Sequence, residues 1–122
     1  RDYVRCLEFR RVLFRSAVAI ALEHGFVPHV DFLFGLPGEH PADVERTLSF
    51  MEQLVERGAR VHGHTFLPLP GTPFRRAAPG VLAPVLRRQL QVLASRGAAY
   101  GQWEQQEVMA QQLADGREDE GR

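Results

Sequence analysis

The chain has 122 residues, 44% of them hydrophobic and 25% charged, which is the size and composition of one globular domain. Fifteen acidic residues balance fifteen basic ones, so no net field gathers nucleic acid or an anionic membrane surface, and neither is expected as a partner. The longest unbroken apolar run, Ala17 to Leu22, is far shorter than the roughly 20 residues that span a bilayer; with no cleavable leader visible, the expected location is the cytoplasm.

Residues 1–16 carry five Arg and mix apolar positions with no clean period of 2 or 3.6, and they fit poorly with the patterned chain from Ala17 onward. This segment is read as non-native or disordered, and its Cys6 as incidental. All the basic residues of the chain are Arg, so no ammonium is available for Schiff-base work. A single Cys excludes an internal disulfide and cannot alone hold zinc or an iron–sulfur cluster.

Beyond Ser16 the pattern is regular. Ala17, Val18, Ile20, Ala21 and Leu22 form the end of a helix stopped at Gly25. Val30 to Phe34 is a short, nearly continuous apolar run between Pro28 and Gly35, as expected of a parallel strand covered on both faces. Pro41 suits a first helical turn, and Val44, Leu48, Met51, Leu54 and Val55 recur at helical spacing up to Gly58. Arg60 to Phe66 reads as a second strand that closes a β-α-β unit. Pro68, Pro70 and Pro73 force an irregular loop. Pro84 then opens a helix with Leu86, Leu90 and Leu93 on one face, and a last helix is expected over about 102–114, ahead of a polar, disordered tail at 115–122. Two parallel strands bury little alone, so the expected fold class is α/β, a partial (β/α) barrel fragment with about two parallel strands and three to four helices.

Two segments carry candidate chemistry. In Gly35-Leu36-Pro37-Gly38-Glu39 the glycines permit close backbone approach and the following helix presents unpaired N–H groups, an arrangement suited to a carboxylate, phosphate or ribose and equally to a plain tight turn. In His62-Gly63-His64-Thr65-Phe66 the two histidines share one strand face and could bind a metal together, but the sequence offers no obvious third ligand. Each histidine reads equally as a hydrogen-bonded packing residue, and no metal ligand or catalytic residue is assigned.

The pair D-F-L-F-G-L-P-G-E and T-F-L-P-L-P-G-T-P-F, separated by a helix containing Thr47-Leu48, resembles the later strands of the radical S-adenosylmethionine barrel, as in methylthiotransferases. The strand His62-x-His64-Thr65-Phe66 and the closing Tyr100-Gly101-Gln102-Trp103 are most similar to members with a cobalamin-binding domain ahead of the barrel. The resemblance covers about 17–113. It implies a parent enzyme that cleaves S-adenosylmethionine with a [4Fe–4S] cluster, with cobalamin as a further cofactor in the cobalamin-binding members. The CxxxCxxC cluster motif of that family is missing here, so the resemblance implies the adenosine side only. Cofactor-binding residues are then Gly35, Leu36, Pro37, Gly38 and Glu39 near adenine and ribose, and His64 and Leu67 beside the adenine. The implied partner is the N-terminal part of the same domain. Where the family commonly has Thr after Gly-Glu, this chain has His40, a poorer helix cap. The alternative reading is a complete small α/β binding or interaction module, without catalysis, whose helix 41–58 docks a partner.

Overall fold

The computed structural model describes residues 2–120, with side chains described for residues 12–117. Helix α1 (Asp2–Glu23), strand β1 (His29–Phe34), helix α2 (Pro41–Glu56), strand β2 (Arg60–Thr65), helix α3 (Pro84–Ser95), strand β3 (Ala99–Gly101) and helix α4 (Trp103–Glu120) follow in that order. The strands form one parallel sheet, in the order β1-β2-β3. The expectations for 1–16 and for the tail fall largely on side chains outside the described residues, Cys6 included. Within the first segment, Arg15 donates to Gln53 of α2 at 2.8 Å and lies over the Phe50 ring at 5.6 Å. Among the described residues no helix is long and apolar enough to cross a membrane.

The α/β fold expected from sequence is the one observed, with a third strand added. β3 has three residues, pairing Val61 with Ala99, His62 with Tyr100 and Gly63 with Gly101. The last helix runs to Glu120, beyond the apolar spacing that ends near Leu113. His40 makes no side-chain cap; Asp43 reaches back to accept its N–H at 2.9 Å, so the missing cap is offset from the third helical position.

Side chains alternate across a strand, and here the two faces differ completely. Val30, Phe34, Val61, Thr65 and Ala99 are buried under the helices, whereas His29, Asp31, Leu33 and Tyr100 are exposed and His62 and His64 half-exposed on the other face. One apolar cluster joins Phe34 and Val61 to Val44 and Met51 of α2, Leu86, Leu90 and Leu93 of α3, and Trp103 of α4. A second packs Val18 of α1 against Val30, Leu54 and Ala59. All four helices therefore lie on one side. Sequential strand order with helices on a single face is the winding of a (β/α) barrel wall; a doubly wound sheet places helices on both. The expectation that the Val30–Phe34 strand is covered on both faces is corrected accordingly, because Asp31 and Leu33 belong to the open side.

Glu107 of α4 accepts from the Leu82 N–H at 2.7 Å and from the Arg87 guanidinium, tying the 66–83 loop and α3 to the last helix. Burial would raise its pKa, but these donors outweigh burial and lower it. A depressed folded pKa stabilises above the unfolded value and is lost as pH falls through the folded one. Glu107→Ala should therefore cost about 1–3 kcal/mol at neutral pH, with the difference from wild type shrinking in acid, as read by urea unfolding at several pH values. Met51 is fully buried and Leu48 only partly so. Met51→Ala should cost about 2–5 kcal/mol and Leu48→Ala less, measured in the same way.

Candidate functional site at the carboxyl end of the sheet

β1 and β2 end side by side, held by the Phe66 N–H donating to the Phe34 carbonyl at 2.8 Å. The two candidate loops thus leave the sheet at the same edge, the end where parallel α/β folds place their ligands. Gly35 and Gly38 both have φ near +80°, at 74° and 80°. Their surroundings differ. A Cβ at Gly35 would stand 2.8 Å from the Val81 nitrogen and 2.9 Å from the Gly80 Cα, whereas one at Gly38 would meet nothing within 4 Å. Gly35 is therefore required by the chain's own packing, and Gly38 borders open space. Glu39 turns back to accept the Gly35 N–H at 3.3 Å, and burial pushes its pKa up against that hydrogen bond, with help from Asp43. Leu36, Pro37 and Gly38 are exposed.

His64 and Leu67 share a depression of about 420 Å³ with Asp31, Leu33, Phe66 and Gln106. This brings two of the predicted residues together, while Gly35 to Glu39 lie outside that depression. A larger one, about 880 Å³, lies between the proline-rich loop and α4, lined by Arg75, Arg76 and Arg117, and holds none of the predicted residues.

The open sheet face carries the densest polar array. Parallel register sets Asp31 beside His62, with His64 one pleat further along the same face. His62 Nδ1 lies 2.8 Å and His64 Nε2 3.2 Å from the same Asp31 carboxylate oxygen. The His64 hydrogen bond, against an opposing effect of desolvation and with help from the His62 hydrogen bond and the attraction of both rings, holds the Asp31 carboxyl below its usual pKa. Tyr100 stacks on His62 with centroids 4.6 Å apart and planes 8° apart, and its hydroxyl meets His29 Nδ1 at 2.8 Å. Asp31 is the partner that sequence reasoning missed. The available signal was an acid in the middle of the run Val30-Asp31-Phe32-Leu33-Phe34, at the position that the parallel register brings level with His62.

Among curated proteins, 73 residues of the chain, 60% of it, are 37% identical to the threonylcarbamoyladenosine tRNA methylthiotransferase MtaB of Thermotoga maritima, covering 16% of that protein. A further 66 residues' match, 54% of the chain, is 31% identical to an uncharacterized protein of Methanocaldococcus jannaschii, covering 13% of it. The chain thus spans about one-sixth or less of the length of these relatives. No family model and no solved structure matches.

The two glycines should separate in a substitution experiment. Gly35→Ala meets backbone atoms and should lower the melting temperature markedly, whereas Gly38→Ala meets open space and should cost only the left-handed strain of about 1–2 kcal/mol. Equal losses by calorimetry would show that the 80–81 segment does not pack on Gly35.

Proposed function

We propose that this chain is the adenosine-side wall of a radical S-adenosylmethionine enzyme, a carboxyl-terminal part of the barrel whose remainder lies outside these 122 residues. The observation that carries the reading is a relative named as a methylthiotransferase, 37% identical over 73 residues, matching a chain whose Gly–Pro loops leave adjacent parallel strands at one edge. The helix-free face of the sheet supports it, since a barrel keeps its helices outside and its reacting groups within or above the lumen. Within the superfamily, His62-x-His64-Thr65-Phe66 and Tyr100-Gly101-Gln102-Trp103 favour the members that also carry a cobalamin-binding domain.

The residues of the first loop divide the work. Gly35 and Glu39 shape the turn, and the exposed Leu36-Pro37-Gly38 stretch offers its backbone to adenine and ribose. His64 and Leu67, in the depression beside it, line the adenine. The chemistry supplied when cofactor and cluster are bound is reductive cleavage of the sulfonium to methionine and a 5′-deoxyadenosyl radical. The residues present do not fit the cluster itself: one Cys cannot provide three thiolates, and the proposal assigns those ligands to the rest of the parent.

Two outcomes test the reading. The 122-residue chain, reconstituted anaerobically with iron and sulfide, should assemble no [4Fe–4S] cluster; stoichiometric cluster abolished by Cys6→Ala would overturn the proposed division. In the full-length parent, Gly38→Val should weaken S-adenosylmethionine binding by about tenfold or more, a loss of about 1.4 kcal/mol or more, while cluster content stays native. Native calorimetric affinity in the folded variant would reduce this loop to a turn.

A further inference from the structure

We propose that Asp31, His62 and His64 form a binding site for one divalent transition-metal ion on the open face of the sheet. The three ligand atoms, one carboxylate oxygen and two imidazole nitrogens, all lie within 4.8 Å of one another. Two of the separations are 2.8 Å and 3.2 Å. Metal–nitrogen and metal–oxygen bonds of about 2.0–2.1 Å put adjacent ligands roughly 2.9–3.4 Å apart, from octahedral to tetrahedral angles. The two Asp31–histidine separations thus lie close to the spacing that a shared ion requires, and the third pair, within 4.8 Å, is left to close by rotation of the two partly exposed rings.

The backbone sets that spacing. Asp31 and His62 are register partners on adjacent strands, and His64 follows at the strand period, so three side chains converge without any loop having to order. The imidazoles are about one-third exposed, at 34% and 32%, and the Asp31 side chain is 75% exposed, leaving the outward coordination positions for water or a substrate atom. Tyr100, level with His62 on the next strand, supports the site from the side: its ring stacks on His62 and its hydroxyl is held by His29, which limits the orientations open to the imidazole.

Donor type selects the ion. Two imidazoles and one carboxylate suit Fe(II), Co(II), Ni(II) or Zn(II); the all-oxygen preference of Mg(II) and Ca(II) and the thiolate preference of Cu(I) are unmet. Binding requires that the proton each ring donates to Asp31 be lost to solvent and the other ring nitrogen carry the remaining proton, so that the freed lone pair meets the ion in place of the hydrogen bond. The proposal uses residues of this chain alone and does not depend on S-adenosylmethionine binding, so the two readings fail separately.

The test is titration of the metal-free 122-residue chain with Co(II), followed by its visible d–d bands and by hyperfine-shifted imidazole proton signals in NMR. One equivalent should bind, Zn(II) should displace it, and two histidines should shift. Asp31→Asn, His62→Ala and His64→Ala should each weaken binding roughly tenfold or more, while His24→Ala and His40→Ala should not. Because all three ligands lie on the uncovered face, circular dichroism melting should find the variants folded. For any variant that does not fold, the wild-type NMR shifts decide, since only His62 and His64 should be affected. Absence of saturable binding, shifts at other histidines, or binding that survives the His62→Ala/His64→Ala double variant would overturn the site, leaving a carboxylate hydrogen-bonded to two imidazoles.

Discussion

The parallel pairing of β1 with β2 is the constraint on which the rest depends. Parallel neighbours cannot be joined by a tight turn, and the crossover must carry the chain back along the sheet; α2 and its flanking loops do so. Its buried side chains, Val44, Met51 and Leu54, commit one sheet face to the helical layer. The same crossover fixes the register, His29 with Arg60 through Phe34 with Thr65. That register decides which side chains share the other face. A slip of one residue would send Asp31 under the helices and Val30 into water, so the apolar core and the polar array specify each other.

The carboxyl edge is held from several directions. Thr65, a buried polar residue, donates its hydroxyl to the Trp103 carbonyl and its N–H to Gln106, both at 2.8 Å. Glu107, one residue further along α4, holds Leu82, and the neighbouring Gly80 and Val81 press on Gly35. The loop after β1, the loop after β2 and the start of α4 are thereby connected through hydrogen-bonded backbone and buried contacts. Such support is what allows exposed Leu36 to Gly38 to keep a defined shape with little core of their own.

Several elements were legible in the sequence because their signals are local. The strand at 30–34, the helix from Pro41 and the helix from Pro84 follow from apolar spacing and from Gly and Pro punctuation, and the structure returns them within a few residues. β3 was not legible, since three residues are too few to show a period and its strand character comes from pairing with Val61 to Gly63. The end of α4 was missed because its last turns are polar and lack the apolar stripe that marks a helix; Gln111 donating to Asp115 at 2.8 Å is the kind of local bond that continues it. The third member of the polar array was missed for another reason. Asp31 and His62 are 31 residues apart, and only the register makes them neighbours.

An open parallel sheet face is uncommon, and its side chains restrict what can cover it. Leu33 and Tyr100 remain 47% and 42% exposed and would favour an apolar cover, but they sit on the two outer strands, with His62 and His64 on β2 between them and Asp31 beside His62. A dry helix or sheet packed there would strip water from a carboxylate that has only hydrogen bonds from two imidazoles to replace it, a desolvation cost that disfavours such a cover. A wet chamber imposes no such cost, because water or a bound polar ligand can complete the carboxylate's hydrogen bonds. A cation bound by the carboxylate and both imidazoles offsets the cost directly. The chemistry of this face is therefore that of a chamber wall, and burial of its apolar members has to be reached through an occupant that leaves Asp31 hydrated or brings it a positive charge.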